Sequence, residues 1–255
     1  MKHGTLFLIP SNLSDPFTPS QILPATVIAT AIGLNHYIAE NAKTARAFLK
    51  GIGIDRPLSQ ISILELNDQT PRDALAGMIA PLIAGHDIGL LSEAGAPGIA
   101  DPGADIVAMA HQLGILVVPM VGPSSILLGL MASGLNGQTF AFHGYLPQDK
   151  VVRVATILAL EKESRERNMT MLFIETPYRN QALFSDLLAA LAPSTWVCLA
   201  RDLTGGRELV RTKRVSDWRM VAPSMEKVPT LFMLLSEPAR NKSASRRRTK
   251  SASGV

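Results

Sequence analysis

The loop from Ser92 to Gly103 holds the residues whose types and spacing are most suggestive of chemistry. Its sequence, S-E-A-G-A-P-G-I-A-D-P-G, follows the apolar run Ile88–Leu91. Three glycines allow positive φ or a close approach of the backbone to a ligand, and two prolines restrict the remaining conformations. Open α/β sheets bind ligands where loops leave the carboxyl ends of parallel strands. The pattern fits a ligand-binding loop, and it fits equally a tight strand–helix turn with Asp101 as N-cap and Pro102 as first helical residue.

Few side chains elsewhere have the character of catalytic acids or bases. Glu175 follows an apolar run and is a candidate base, although it could instead pair with Arg179 or Arg153. Asp202 is a second candidate, with a helix cap or an ion-pair partner as the alternative. His143 is a third, and a lone histidine is more often structural. Neither a G-x-G-x-x-G dinucleotide fingerprint nor a G-x-x-x-x-G-K-[ST] phosphate loop is present in the sequence.

Short apolar runs alternate with longer amphipathic stretches, which predicts an α/β fold. The predicted strands of the N-terminal half are Thr5–Ile9, Thr26–Ala31, Ser62–Leu66, Ile88–Leu91 and Leu116–Met120. The predicted helices there are Ala39–Lys50, Arg72–Ala84 and Ile106–Leu113. In the C-terminal half the predicted strands are Phe140–His143, Met171–Ile174, Trp196–Ala200 and Thr230–Leu235. The predicted helices there are Pro123–Ala132, Arg153–Lys162 and Asn180–Leu191, while Gly205–Val215 fits either a helix or a hairpin.

These elements predict two α/β domains of different character. Residues 1–121 form a domain with a mainly parallel sheet that carries the glycine-rich loop. Residues 122–238 form a second domain with a mixed sheet. Residues 239–255 are rich in serine and basic residues and lack large apolar side chains, which predicts a disordered basic tail.

Composition excludes several classes of protein. The chain has 255 residues, 47% of them hydrophobic, which is enough for an extensive core. One cysteine, Cys198, rules out an internal disulfide and makes a thiolate metal site improbable, so we expect no metal. No apolar run approaches the length of a membrane span, so we expect a cytoplasmic protein without membrane contact.

Charge is concentrated at the C-terminal end. The formal charge is +4, but six of the 25 Lys and Arg residues lie from Arg240 onward, where there is no acid. The rest of the chain then has 19 basic against 21 acidic residues, a charge near −2. The basic end is either a solvated terminus or an arm that neutralises phosphates of a nucleic acid.

Five segments, in the same order, resemble motifs of one known family. The segments are Ser92–Gly103, Val117–Ser125 followed by Ala132–Leu135, Phe140–Pro147 with Arg153, Glu175–Arg179, and Ala200–Thr204. They are similar to S-[DE]-A-G-x-P-x-I-x-D-P-G, V-P-x-P-G-x-S-A…S-G-L, F-x-G-F-L-P…R, E-S-P-H-R and A-R-E-L-T. These motifs are typical of the ribosomal RNA small-subunit methyltransferase I family, a branch of the tetrapyrrole methylase superfamily.

The resemblance implies a fold, a reaction and a set of site residues. It implies two α/β domains of the tetrapyrrole-methylase type, a homodimer, and transfer of a methyl group from S-adenosylmethionine (SAM) to a ribose 2′-hydroxyl of small-subunit ribosomal RNA. Glu175 and Asp202 are the expected catalytic residues, and Arg153 and Arg179 are expected to contact the RNA. The expected cofactor-binding residues are Pro10, Ser92, Glu93, Ala94, Gly95, Ala96, Pro97, Ile99, Ser124, Ser125, Thr176 and Thr230.

Departures from the family motifs leave other functions open. The family's A-T-P-I-G-N is replaced by Leu8–Leu13, and its A-E-D-T-R by Ala39–Lys43. Gly205 stands where the family has the lysine of E-L-T-K, and Tyr178 where it has the histidine of E-S-P-H-R. These positions are expected to face the acceptor rather than the cofactor. The alternatives are therefore a methylase of a tetrapyrrole or another small molecule, and a non-catalytic protein that binds SAM or RNA.

Overall fold

Two five-stranded sheets organise the chain, and the computed structural model describes residues 2–237. Contacts divide these residues into two units. The first unit contains residues 2–132, 200–210 and 228–231, and the second contains the remainder. By these contacts the first division follows Ala132, and two later segments join the first unit. The domain boundary after residue 121 stays a prediction. The predicted tail at residues 239–255 lies outside the described residues.

The first unit is built on a parallel sheet with helices on both faces. Its strands pair in the order β3-β2-β4-β1-β5, and every pairing described for this sheet is parallel. The strands are β1 (Thr5–Ile9), β2 (His36–Ala39), β3 (Ser62–Glu65), β4 (Ile88–Leu91) and β5 (Leu116–Pro119). The helices are α1 (Pro19–Ile22), α2 (Ala25–Gly33), α3 (Ala42–Gly51), α4 (Ala74–Ile83), α5 (Gly103–Gln112) and α6 (Ser125–Ser133), with a short 3-10 turn at Leu58–Gln60.

Strand β4 lies at the centre of this sheet and is buried along its whole length. Helices α2 and α3 pack on one face of the sheet, and α4 and α5 pack on the other, so burial on both faces explains the continuous apolar run. Gly89 of β4 makes room for its neighbours. A β-carbon there would lie 2.8 Å from Ile9 Cδ1 and 2.8 Å from Tyr37 Cδ1.

The order of the strands places a crevice at the carboxyl ends of β2 and β4. From β2 the chain continues through α3 to β3, towards one edge of the sheet. From β4 it continues through α5 to β5, towards the opposite edge. Adjacent parallel strands whose connections diverge in this way leave a gap at their carboxyl ends, and ligands bind there in open α/β sheets.

The second unit contains the larger part of a mixed sheet, in the order β6-β7-β10-β8-β9. Its core joins helices α7 and α8 to the sheet, with Phe184 packed edge-on against Trp218 at 5.5 Å between ring centroids. The strands are β6 (Phe140–Tyr145), β7 (Thr170–Glu175), β8 (Trp196–Arg201), β9 (Leu209–Arg214) and β10 (Thr230–Leu235). The helices are α7 (Lys150–Arg167), α8 (Asn180–Ala190) and α9 (Val215–Met220).

Two sequence predictions in the first unit are wrong. The run Thr26–Ala31 is part of helix α2, not a strand. Its β-branched residues favour a strand, but the core contacts come from Val27 and Ala31, which are four residues apart and share one face of a helix. Strand β2 was not predicted, and Ala39, predicted as the first residue of a helix, is its last residue. The undecided stretch Gly205–Val215 contains strand β9.

Candidate functional site

The loop between β4 and α5 has a backbone that few sequences could adopt. Gly95 and Gly98 have φ values of 76° and 80°, and Ala100 also has a positive φ of 60°. Glycine adopts this region without steric cost, which explains the glycine spacing. The side chain of Asp101 holds the turn, because its Oδ1 accepts hydrogen bonds from the N–H groups of Gly98 at 2.8 Å and Gly103 at 2.7 Å.

Asp101 therefore stabilises the turn, but it is not the N-cap that the sequence predicted. Helix α5 begins at Gly103 with Pro102 as its capping residue. The carboxylate of Asp101 accepts from backbone N–H groups on either side of its own position, Gly98 in the loop and Gly103 at the first position of α5, so it fixes both the loop and the start of the helix. Its Oδ2 is buried and has no hydrogen-bond partner within residues 2–237. Burial raises the pKa of Asp101 above the usual aspartate value.

The loop after β1 closes against this glycine-rich loop. The N–H of Ser11 donates to the carbonyl of Gly95 at 2.9 Å, and the hydroxyl of Ser11 donates to the carbonyl of Ser92 at 3.1 Å. A β-carbon on Gly95 would lie 3.0 Å from Leu13 Cδ2 and 3.4 Å from the carbonyl oxygen of Pro123. The loops after β1, β4 and β5 thus meet around the main chain of Gly95, and we name this arrangement the Gly95 cradle.

Several predicted cofactor-binding residues come together in the Gly95 cradle. Ser92 and Gly95 belong to it directly, and the Cα of Ser124 would be 4.0 Å from a β-carbon on Gly95. Pro10 lies beside the β5 loop, because a β-carbon on Gly122 would lie 2.3 Å from Pro10 Cβ. The cradle consists mainly of backbone groups, and binding of the cofactor by these residues stays a prediction.

The other predicted residues of the glycine-rich loop have different environments. Glu93 is exposed and accepts a hydrogen bond from the hydroxyl of Thr44. Burial raises the pKa of Glu40, at the end of β2, and the charges of Glu93 and Asp101 raise it further. Pro97 is buried, Ala96 is half-buried, and Ala94 and Ile99 are exposed; Ser125 is the first residue of α6.

The first unit also contains a cavity of about 510 Å³ beside the β5 loop. Its volume is within the range of small-molecule sites. Most of the lining residues are apolar, and they include Phe17, Gly122 and Pro123. Thr204 contributes the polar atom of interest: its Oγ1 is buried and lacks a hydrogen-bond partner in the described part of the chain. Thr204 also has a φ of 65°, a conformation rare for a β-branched residue.

Asp202 fixes the loop that carries Thr204. One carboxylate oxygen accepts a hydrogen bond from the hydroxyl of Ser14, and the other accepts the N–H of Arg207 at 2.8 Å. Asp202 is 5% exposed and has a φ of 49°. A β-carbon at Gly205 would lie 2.6 Å from Asp202 Oδ1, so this loop conformation has no space for the lysine of the family motif.

Thr230 lies next to the same loop. The N–H of Asp202 donates to the carbonyl of Pro229 at 2.9 Å, and the hydroxyl of Thr230 donates to the carbonyl of Val228 at 3.0 Å. Both oxygens of Asp202 and the hydroxyl of Thr230 therefore have local partners in the first unit. Asp202 acts there as an organiser of the loop.

Within the second unit, Glu175 occupies the end of β7 and is 4% exposed. Its Oε1 accepts hydrogen bonds from the N–H of Thr176 at 2.7 Å and from Nη2 of Arg179 at 2.6 Å. Arg179 was the alternative partner considered for Glu175, and the ion pair is present. The second oxygen, Oε2, is buried and has no hydrogen bond to any group in residues 2–237.

Arg153 lies in a buried ion pair. Its Nη2 is 2.6 Å from Asp186 Oδ2, and both side chains are 8% exposed. Its Nη1 donates to the carbonyls of Pro147 at 3.2 Å and Gln148 at 2.7 Å. These contacts join α7 to α8 and to the loop before α7, which gives Arg153 a structural role; its predicted contact with RNA stays a prediction.

Other titratable groups of the second unit have structural environments. His143 Nε2 is 3.3 Å from Met171 Sδ, and burial lowers the pKa of His143. Cys198 is fully buried, and burial raises the pKa of its thiol to about 11, as expected for a small core residue. Residues 2–237 contain no group of three or more potential ligands that could hold a metal ion. In the same residues no helix combines the length and the apolar character needed to cross a membrane.

Solved structures with a similar fold are methyltransferases. One is uroporphyrin-III-C-methyltransferase from Thermus thermophilus, with a TM-score of 0.53 and 19% identity over 92% of this chain and 93% of that one. Another is the methyltransferase CobJ, with a TM-score of 0.60 and 14% identity over 92% and 95% of the two chains. The fold is therefore that of the tetrapyrrole methyltransferases, as the sequence predicted.

Sequence relatives define the family more narrowly, although no family sequence profile matches the chain. Ribosomal RNA small subunit methyltransferase I of Escherichia coli O157:H7 is 30% identical over 84% of this chain and 70% of its own length. The Xylella fastidiosa protein of the same name is 32% identical over 79% and 69%. The Vibrio cholerae protein is 36% identical, and this chain spans about half its length (49%). The chain belongs to the ribosomal RNA small subunit methyltransferase I family, and the prediction of a methyltransferase is confirmed.

Three residues with roles in the first unit were not identified from the sequence. Ser11 lies in the segment Leu8–Leu13, where the family motif is lost, and Ser14 lies just after it, so neither had a motif to mark it. Thr204 was included in the A-R-E-L-T resemblance, but its positive φ and its buried hydroxyl depend on the loop that Asp202 holds. Only the two glycines that follow Thr204 could have indicated an unusual backbone there.

Proposed function

We propose that this protein transfers a methyl group from SAM to a ribose 2′-hydroxyl of small-subunit ribosomal RNA. The proposal includes a homodimer and a cytoplasmic location. The observation that carries it is the Gly95 cradle, together with the family to which the chain belongs. The relatives are named for the methylation of small-subunit ribosomal RNA, which supports RNA over a tetrapyrrole as the acceptor.

The Gly95 cradle fits a cofactor held by backbone groups. A β-carbon on Gly95 would press against Leu13 and the carbonyl oxygen of Pro123. The loops after β1 and β5 can therefore approach the main chain of residue 95 this closely only because that residue is glycine. The adjoining cavity is lined in part by Thr204, whose buried hydroxyl has no hydrogen-bond partner in residues 2–237, and we expect this residue to be near the nucleoside part of the cofactor. Ser124 and Pro10 are the other residues that we expect to line the cofactor site.

SAM brings an activated methyl group on a sulfonium, so the protein's tasks are alignment and the exclusion of water. A ribose hydroxyl is a weak nucleophile and benefits from a group that accepts its proton. Glu175 has the properties of such a group. One oxygen is fixed by Thr176 and Arg179, which orients the carboxylate, and the other is buried with an unused acceptor position.

The Arg179 guanidinium fixes the orientation of the Glu175 carboxylate, because its Nη2 lies 2.6 Å from Oε1. A hydroxyl placed against Oε2 would supply the hydrogen bond that this atom lacks. Asp202 is the weaker candidate, because both of its oxygens already accept hydrogen bonds from Ser14 and Arg207.

The substitution Glu175→Gln tests this role. We expect methyl transfer to small-subunit ribosomal RNA to fall by about 100-fold or more, the usual effect of losing a general base. The dissociation constant for SAM, measured by calorimetry, should stay close to that of the wild type. Asp202→Asn is the comparison, and it should lower the melting temperature because the loop loses an organising charge. Equal loss of cofactor binding and methyl transfer in Glu175→Gln would contradict a chemical role.

A further inference from the structure

One aromatic side chain near Glu175 is highly exposed and stands on a backbone turn that contains proline. Tyr178 exposes 80% of its surface, at the end of β7 and three residues beyond Glu175. The N–H of Arg179 donates to the carbonyl of Thr176 at 2.9 Å, so residues 176–179 form a tight turn with Pro177 at its second position. Proline in that position restricts the turn, and the ring of Tyr178 therefore projects from a stiff support.

A lysine lies over one face of this ring. Lys227 Nζ is 5.2 Å from the centroid of the Tyr178 ring, within the distance of a cation–π contact. The segment before Lys227 is anchored, because the N–H of Met225 donates to the side chain of Gln181 on α8 at 2.8 Å. Lys227 itself is exposed. The pair thus presents an aromatic ring with a positive charge on one side and a surface open to solvent.

The neighbourhood of the pair favours RNA as its ligand. Proteins recognise unpaired RNA bases by stacking them on exposed aromatic rings, with cationic side chains for the phosphates. The guanidinium of Arg179 lies in the same turn, and 29% of that side chain is exposed. Tyr178 is three residues beyond Glu175 in the chain, so an RNA strand with one nucleobase stacked on Tyr178 would lie close to the candidate general base.

We propose that Tyr178 and Lys227 form a stacking platform for an unpaired base of the acceptor RNA. The inference rests on the proposed function and deepens it, because it names the part of the RNA that this site recognises. Tyr178 is a binding residue in this proposal, and Lys227 supplies charge beside the ring. The family histidine at this position is replaced by a larger ring, which increases the surface available for stacking.

The test uses the full chain, small-subunit ribosomal RNA, and a single-stranded RNA oligonucleotide that carries 2-aminopurine. Tyr178→Ala should weaken RNA binding by about 5-fold to 150-fold, the range for loss of one base–aromatic stack. Tyr178→Phe and Tyr178→His keep a ring and should retain most of the affinity, whereas Tyr178→Leu keeps apolar area without a ring and should not. Quenching of 2-aminopurine on binding should decrease in Tyr178→Ala.

Charge and stacking are separated by the dependence on salt. Tyr178→Ala removes no charge, so the slope of log affinity against log salt should be unchanged. Lys227→Gln should reduce that slope by about 0.7, the value for one phosphate contact to a single strand. Met220→Ala is the matched control, because Met220 is 84% exposed in the same unit and belongs to α9; its RNA affinity should equal that of the wild type.

The possible failures of the two proposals can be told apart. If the wild type methylates ribosomal RNA and Tyr178→Ala binds and methylates it equally well, the platform is excluded and the proposed function stands. A reduced salt slope in Tyr178→Ala would show a charge effect and would also exclude stacking. If the wild type neither binds nor methylates the RNA, both proposals fail.

Discussion

Comparing Gly95→Ala with Gly98→Ala separates two reasons for glycine in the Gly95 cradle: the positive φ of the backbone and the lack of space for a side chain. Gly95 has a φ of 76°, and Gly98 in the same loop has a φ of 80°. A non-glycine residue in the left-handed region costs about 1–2 kcal/mol, so Gly95→Ala and Gly98→Ala should share this loss of stability. They differ in space. The new β-carbon would be 3.0 Å from Leu13 Cδ2 at position 95, but no closer than 4.0 Å to any neighbour, the nearest being Ala104 N, at position 98.

The two variants should therefore differ in cofactor binding. Gly95→Ala must displace Leu13 or the β5 loop at Pro123. If this displacement costs the bound state about 1.4 kcal/mol, the affinity for SAM falls tenfold. We expect SAM affinity to fall by about tenfold or more in Gly95→Ala and to change little in Gly98→Ala. Calorimetric titration with SAM, and thermal unfolding without it, measure the two effects. Equal losses of affinity in both variants, or unchanged affinity in Gly95→Ala, would refute the cradle as the cofactor site.

Two further predictions concern buried charges. Burial raises the pKa of Asp101, so the folded chain holds its proton more tightly than the unfolded chain, and the contribution that favours folding at low pH is lost as pH rises through the raised pKa. Asp101→Asn keeps an acceptor for the N–H groups of the loop, so its melting temperature should improve relative to the wild type as the pH rises above about 4, the ordinary aspartate value; a difference that stays constant as the pH rises from there would contradict this. Arg153→Ala leaves the buried Asp186 with only the exposed amine of Lys150, 3.9 Å from Oδ1, as an ionic partner. It should therefore destabilise the chain by up to about 3–5 kcal/mol in denaturant unfolding, and an effect on RNA affinity with intact stability would favour the predicted RNA contact instead.

The loop after β4 could be predicted because its conformation depends on local residues. Few residues other than glycine adopt the positive φ found at Gly95 and Gly98. Asp101 accepts hydrogen bonds from backbone groups within three residues of its own position. The ion pair of Glu175 with Arg179 was also within reach, since the two residues are four apart. Such features are visible in one segment of sequence.

Features that depend on distant parts of the chain could not be predicted in the same way. Arg153 and Asp186 are 33 residues apart, and Ser14 and Asp202 are 188 apart, so no spacing rule connects them. Helix α2 was assigned as a strand because its β-branched residues outweighed a weak helical periodicity. The cavity beside Thr204 is formed by segments from three separate parts of the sequence, which only the folded first unit brings together.

The central claim is tested most directly by incubating the purified protein with SAM labelled in its methyl group and small-subunit ribosomal RNA from cells that lack the protein. A 2′-O-methyl group blocks alkaline cleavage of the adjacent phosphodiester. The account predicts that the label enters the RNA and is recovered, after alkaline hydrolysis, in an alkali-stable dinucleotide. Label in a mononucleotide, or an RNA that acquires no label while the protein binds SAM, would contradict it.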